Sequence, residues 1–280
     1  MKITSLVDNI YISSGNDDKC VFPTEHGLSL HITLENGKNI LFDMGQTRLF
    51  ADNAERLGID IANVDAAIIS HGHYDHGGGL AHFLSLNTKA RVYVRPTAFE
   101  RHYSLHEDGM HSIGINDAFM QHKAIVRCDG DYSIPDVGIC FPCGDCSRFF
   151  PLGNKFLYGP EAGIHDSFLH EHSLIVRDGA NYVLIAGCAH CGITNIIDRA
   201  QSIIGRCPDY VVAGMHLMKS GFSAVDEQRH IAELCDALLS YPVTHYYTMH
   251  CTGAEQFAVM KTIMHDRIDY LSCGESVHLI

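Results

Sequence analysis

Apolar residues along this chain cluster in two ways. Short runs rich in β-branched and aromatic residues, the pattern of buried strands, occur at 1–7, 39–42, 66–70, 173–176, 182–187, 210–214 and 245–249. Between them the spacing changes to i, i+3, i+4. Ile193, Ile196, Ile197, Ala200, Ile203 and Ile204 form one helical face, which Gly205 can end. Ser223 with Asp226 resembles a capping box ahead of Ile231, Leu234, Cys235, Leu238 and Leu239. Thr47 is placed to cap a helix through Leu49, Phe50, Ala54 and Leu57, closed by Gly58. Mixed strands and helices predict layered α/β packing.

Four of the strand-like runs end in a histidine-bearing loop: 66–70 before His71, 182–187 before Cys188-Ala189-His190, 210–214 before Met215-His216, and 245–249 before His250. Sites in layered α/β folds gather at strand ends, where loops are free of packing duty but rest on rigid supports. Residues 100–168 follow neither period and are rich in Gly, Asp, Phe and Cys. They read as an irregular cap inserted near the site mouth. No linker or repeat divides the chain, so one domain over 1–280 is expected, with that cap inside it.

Composition narrows the function classes. With 20 Lys and Arg against 33 Asp and Glu, the formal net charge is −13, which disfavours a nucleic-acid partner. No run of apolar residues is long enough to span a membrane, and the N-terminus reads as a strand, not a signal peptide. Eleven cysteines scattered over 280 residues suit reduced thiols in a cytoplasmic protein better than a disulfide scaffold. The expected partner is a small molecule, which can be anionic, and a homo-oligomer is compatible with the sequence. There is no G-x-S-x-G elbow and no G-x-x-x-x-G-K phosphate loop.

The chemistry concentrates in His71-Gly72-His73-Tyr74-Asp75-His76-Gly77-Gly78-Gly79. Imidazole nitrogen and carboxylate oxygen are standard ligands for divalent metals. In a tight turn, His71 and His73 can hold one ion while Asp75 and His76 hold a second, and the glycines let the backbone close around both. One loop cannot complete two coordination shells; His190 and His250 are the best remote ligands, each following a buried run. His216 sits in the same kind of place and suits substrate contact as well as coordination. His170 and His172 flank Glu171 at the entry to the 173–176 run, where either a site role or a plain polar strand entry fits. Asp43, at the end of 39–42, needs a buried partner, and orienting a ligating imidazole would supply one. Cys140, Cys143 and Cys146 make C-x2-C-x2-C, a spacing that can bind zinc or iron–sulfur. No fourth ligand is evident, so ordinary thiols are the default. Cys188 and Cys251 adjoin candidate ligands.

His71-Gly72-His73-Tyr74-Asp75-His76 resembles the H-x-H-x-D-H signature of the metallo-β-lactamase superfamily, and Leu41-Phe42-Asp43-Met44-Gly45 is similar to the aspartate-bearing strand end before it. Three later segments, Gly187-Cys188-Ala189-His190-Cys191-Gly192, Gly214-Met215-His216-Leu217 and His250-Cys251-Thr252-Gly253, resemble the subgroup labelled dihydropterin-ribofuranosylaminobenzene-phosphate synthase-like. The resemblance implies a four-layer αββα sandwich. It also implies two divalent ions held by His71, His73, Asp75, His76, His190 and His250, with a bridging hydroxide. Zinc is the first expectation, and manganese or iron also suit these donors. One departure stands out: many superfamily hydrolases carry a bridging aspartate after a later strand, and here that neighbourhood reads Gly187-Cys188-Ala189-His190.

The expected function is a metal-dependent hydrolase that turns a metal-bound hydroxide on an ester, phosphoester or related small molecule. Asp75 would orient the hydroxide, and His216 would bind an anionic group or act as an acid. Two other readings remain: a ligand-binding or sensor protein on the same scaffold, and a non-hydrolytic pterin-related synthase.

Overall fold

The computed structural model describes every residue except 13–21, 145, 162, 219, 220, 222 and 280. Two seven-stranded sheets face each other. The first holds β1 (Lys2–Val7), β2 (Ser29–Thr33), β3 (Asn39–Phe42), β4 (Ala66–Ile68), β5 (Arg91–Val94), β8 (Ile125–Arg127) and β17 (Ser276–His278), in the order β17-β1-β2-β3-β4-β5-β8. The second holds β9 (Tyr132–Ile134), β10 (Gly138–Phe141), β12 (Ser173–Asp178), β13 (Asn181–Ala186), β14 (Tyr210–Ala213), β15 (His245–Thr248) and β16 (Ile268–Tyr270), in the order β16-β15-β14-β13-β12-β10-β9. A small third sheet is built from β6 (Tyr103–His106), β7 (Gly109–Ser112) and β11 (Leu157–Tyr158). The helices are α1 (Leu49–Arg56), α2 (Tyr74–Gly77), α3 (Leu80–Leu86), α4 (Ile193–Ile204), α5 (Ala224–Ser240) and α6 (Ala254–Met264).

Three apolar clusters explain the layering. Ile32, Phe42 and Ile68 of the first sheet meet Leu174, Val176 and Ile185 of the second in the space between the sheets. Phe50, Ala54, Leu80 and Phe83 of α1 and α3 cover the outer face of the first sheet. Ile196, Ile197, Leu234, Leu238 and Met260 of α4, α5 and α6 cover the outer face of the second. The result is the expected four-layer αββα sandwich. Gly205 ends α4 with φ 75°, and the Ser223 side chain accepts from Asp226 N at the start of α5, as their positions predict. Thr47 caps the start of α1 across the helical residue Arg48: its hydroxyl accepts from Leu49 N at 3.1 Å and donates to Glu25 Oε2 at 2.7 Å. Among the described residues, no helix is long and apolar enough to cross a membrane.

Each sheet is half antiparallel and half parallel, and the parallel halves carry the site. β3, β4 and β5 run parallel with Phe42 beside Ile68. β13, β14 and β15 run parallel with Ala186 beside Ala213 and Ala213 beside Thr248. Register therefore brings the loops after Phe42, Ile68, Ala186, Ala213 and Thr248 to one edge of the sandwich. The backbone bends sharply there: Asp43, Ala189, His216 and His250 all have left-handed φ of 60°, 52°, 46° and 49°, a conformation non-glycine residues adopt only where surroundings impose it.

Residues 100–168 contain more regular structure than their sequence shows. β8 extends the first sheet, and β9 and β10 extend the second. Only β6, β7 and β11 stand apart. The segment after β7 joins the histidine loop directly: Tyr74 N donates to Ile113 O at 2.8 Å and Ile115 N to Gly72 O at 3.1 Å.

Candidate metal centre

Six residues expected at the site, His71, His73, Asp75, His76, His190 and His250, are all buried and lie together. They form two groups. In the first, His71, His73 and His190 have ring centroids 4.6–5.0 Å apart, with donor atoms within 4.8 Å of one another. Each has a buried Nε2 without a hydrogen-bond partner. Burial, and then the neighbouring imidazoles for His71 and His190 and His170 for His73, hold all three well below 6.5, so they are neutral.

In the second group, Asp75 Oδ2 lies 3.2 Å from His250 Nε2 and 3.5 Å from His76 Nε2. The two Nε2 atoms are themselves 3.2 Å apart. His26, which the sequence reading passed over, reaches Asp75 Oδ2 at 3.3 Å. Burial raises the Asp75 carboxyl, but His76, His250 and His26 outweigh it and hold it well below its ordinary range.

The outer contacts fix which ring nitrogens carry protons. His76 Nδ1 faces Asp43 Oδ2 at 2.7 Å, an oxygen that already accepts from Ser70 Oγ. His250 Nδ1 faces Asn9 Oδ1 at 2.8 Å, and that amide oxygen is identified because Gly27 N donates to it. His190 Nδ1 faces Asn154 Oδ1 at 2.9 Å, oriented because Asn154 Nδ2 donates to His190 O. His71 Nδ1 faces Ser70 Oγ at 2.9 Å, whose own proton goes to Asp43. Each Nδ1 must therefore donate, so each Nε2 presents a lone pair when its ring is neutral. His76 and His250 thus aim lone pairs at the same point as an Asp75 oxygen. Buried acceptors that converge are costly unless a donor or a cation lies among them. A proton is the competing occupant: burial lowers the His76 imidazole, but Asp75 and Asp43 outweigh it and raise it to about 9.

Cys188 Sγ is 3.1 Å from His76 Nε2 and also groups with His71 and with His250 and Cys251. The thiol thus lies between the two histidine groups. His216 lies tilted against His190 with ring centroids 4.3 Å apart, and its Nδ1 is buried without a hydrogen-bond partner. It borders the first group.

His170 and His172 act as braces. His170 Nδ1 accepts from Gly72 N at 2.9 Å and its Nε2 donates to Asp166 Oδ2 at 3.1 Å, so both nitrogens are used. His172 Nε2 donates to Ile69 O at 2.9 Å and its backbone N to Ser70 O. Both hold the end of β4 in place. Asp166 also accepts from His102 Nδ1 at 2.9 Å. Burial raises the Asp166 carboxyl, but these two imidazoles hold it well below its ordinary range. His102 Nε2 is buried without a hydrogen-bond partner, and its ring lies 5.7 Å from that of His73. His102, Asp166 and His170 form one wall of a cavity of about 250 Å³ that Glu161, Ile164 and Leu169 also line.

Sequence reasoning missed His26, His102, Asn9, Asn154 and Asp166. Asn9 follows β1 with Asp8, which accepts from His250 N at 2.6 Å. That pair was findable by the rule applied to Asp43, a polar residue at a strand end. The others follow no apolar run, and nothing in the sequence marks them.

Known proteins resemble this chain in sequence and fold. The model of the metallo-beta-lactamase superfamily matches residues 27–198. The chain is 27% identical over 273 residues to the 7,8-dihydropterin-6-methyl-4-(beta-D-ribofuranosyl)-aminobenzene-5'-phosphate synthase of Methanocaldococcus jannaschii, covering 88% of this chain and 89% of that protein. The crystal structure of a metal-dependent hydrolase of the beta-lactamase superfamily superposes with a TM-score of 0.79 at 28% identity, over 100% of this chain and 99% of the other. A diphosphatase of the PhnP family shares the fold with a TM-score of 0.53 at 14% identity, over 100% and 98% of the two chains. With its histidine loop, its paired sheets and a family match over more than half its length, the chain belongs to the metallo-beta-lactamase superfamily.

Proposed function

We propose that this protein is a metal-dependent hydrolase of small-molecule esters or phosphoesters, working as a single metallo-β-lactamase-like domain over 1–280 in the cytoplasm. One observation carries the reading. His76 Nε2 and His250 Nε2 meet 3.2 Å apart beside Asp75 Oδ2, an arrangement of acceptors that a divalent cation satisfies. His71, His73 and His190 would hold one ion; Asp75, His76 and His250 would hold the second. Cys188, with its Sγ 3.1 Å from His76 Nε2, would be a further donor, and as a thiolate it would favour zinc over manganese. Bound divalent ions supply a nucleophile by lowering the pKa of water, and they polarise the electrophile.

The chain's own residues do the rest. Asp75 is buried and ionised beside both His76 and His250, so it can orient the attacking group as well as bind. His216 borders the first group with an unpartnered Nδ1 and is placed to bind an anionic oxygen or pass a proton to a leaving group. β6, β7 and β11 act as a cap, and His102 presents an unpartnered Nε2 from it. Leu169 is 64% and Ile164 58% exposed at the neighbouring cavity, which suits a substrate with an apolar part as well as a reactive one.

The test is hydrolysis of chromogenic esters, phosphomonoesters and phosphodiesters by protein loaded with zinc, manganese or iron, together with metal content by mass spectrometry. Alanine at His71 or at His76 is expected to abolish turnover while unfolding stays cooperative. Turnover retained in both variants refutes the reading. A pterin-related synthase is the second reading, favoured by the name of the M. jannaschii relative. Formation of a pterin-containing product without hydrolysis of any panel member selects it. Tight binding of a metabolite without turnover selects a sensor.

A further inference from the structure

The C-x2-C-x2-C spacing pairs the wrong three thiols. β10 pairs with β12, Cys140 beside Leu174 and Phe141 beside Ser173, and strand alternation sends consecutive side chains to opposite faces. Cys140 therefore enters the core between the sheets, while Phe141 and Cys143 enter the core under α4. The chain then turns through Gly144, at φ 85°, and brings Cys146 back to the same place. A third thiol waits there. Cys191 immediately precedes Gly192, the residue that opens α4. The sulfur atoms of Cys143, Cys146 and Cys191 all lie within 4.8 Å of one another.

The surroundings are built to hold this group. Glu171 Oε1 accepts from His190 N at 2.7 Å and Oε2 from Cys191 N at 2.8 Å. One carboxylate thus fixes two adjacent residues, His190 toward the histidine groups and Cys191 toward the thiols. Asn195 in the first turn of α4 receives Arg148 N at 3.2 Å and donates to Arg148 O and Cys191 O, which ties the Cys146 loop to the helix start. A helix N-terminus favours thiolates. Cys143 and Cys191 are buried and Cys146 is half-buried, so one side stays open to solvent. Thiolate bonds to zinc of about 2.3 Å place sulfur atoms about 3.8 Å apart in a tetrahedral site, so the three need only small movements to share an ion.

We propose that Cys143, Cys146 and Cys191 form a metal site separate from the histidine groups, taking a thiophilic divalent ion such as zinc through three thiolates, with water at the fourth position on the Cys146 side. Binding releases the thiol protons to solvent. The ion would clamp the end of β10 to the loop that carries His190. The proposal stands whether or not the protein is a hydrolase.

The experiment uses the full chain, reduced and stripped of metal, titrated with cadmium. The readouts are the sulfur-to-cadmium charge-transfer band in the ultraviolet and bound cadmium by mass spectrometry. Cys146→Ser and Cys143→Ser are expected to bind one ion fewer than the unsubstituted chain and to lose much of the band; Cys207→Ser, at a half-buried thiol elsewhere, is expected to change neither. Cys146 is partly exposed, so its variant decides the matter if Cys143→Ser fails to fold. Equal cadmium and an equal band in Cys146→Ser overturn the proposal. It is also overturned if the intact mass shows a Cys143–Cys146 disulfide that, once reduced, takes up no ion.

Discussion

Asp43→Asn is a sharp probe of the two histidine groups, because it changes one atom without changing size. Asp43 is fully buried. Its Oδ1 accepts from Ser70 N at 2.7 Å, and its Oδ2 accepts from Ser70 Oγ at 2.7 Å and His76 Nδ1 at 2.7 Å. All three partners donate. In the variant the amide oxygen can serve only one side, and the backbone N–H of Ser70 cannot turn away. The new NH2 group then faces Ser70 Oγ and His76 Nδ1. The serine hydroxyl can rotate, but the imidazole can adapt only by moving its proton to Nε2, which removes the lone pair aimed at Asp75 and His250. Losing such an orienting partner weakens metal binding about 10- to 100-fold, or about 1.4–2.7 kcal/mol. The loss should fall mainly on the ion held by Asp75, His76 and His250. His71, His73 and His190 feel the change only through the Ser70 contact to His71. The assay is competition with a chromophoric chelator, followed by metal counting after graded dialysis, with unfolding of the metal-free variant as a control for the fold. Two ions released together, with the affinities of the unsubstituted chain, would refute the reasoning.

Gly187→Ala tests the close approach of the sheets. A Cβ there would lie 2.2 Å from Ser70 Oγ and 3.3 Å from Asp43 Oδ2, atoms held by buried hydrogen bonds. A loss of about 1–3 kcal/mol of stability is expected, read as a lower Tm, together with weakened metal binding; an unchanged Tm would show that the strands separate freely. His31 predicts an acid-labile fold. Burial, aided by Lys2, lowers its imidazole from 6.5 to about 4, so the unfolded chain takes up a proton that the folded chain refuses. Its contribution is intact above about pH 6.5, is lost as pH falls toward 4 and is flat below, reaching about 3 kcal/mol. Urea unfolding of metal-free protein at several pH values should show a shallower dependence in His31→Leu, and an equal dependence would remove His31 as the cause.

The chain order of polar and apolar residues determined a good deal by itself. Strand-like runs ending in His71, His190, His216 and His250 were legible because a buried strand must be apolar and a site can begin only where it stops. Ile193 through Gly205 and Ser223 with Asp226 marked two helices because periodicity and end groups are local. Strands β8, β9 and β10, at or next to the sheet edges, were not legible; three or four residues, partly exposed, carry too little alternation to stand out. Nor could local pattern say which loops meet. Asn9, His26, Asn154 and Glu171 support residues distant in sequence, and only the parallel register of β13, β14 and β15, facing β3 and β4, brings their partners to one edge. The cysteines make the same point. Spacing along the chain groups Cys140 with Cys143 and Cys146, but strand alternation turns Cys140 into the core between the sheets and folding delivers Cys191 in its place. Spacing is a property of the chain, whereas convergence of donors at a point depends on how separate strands end side by side.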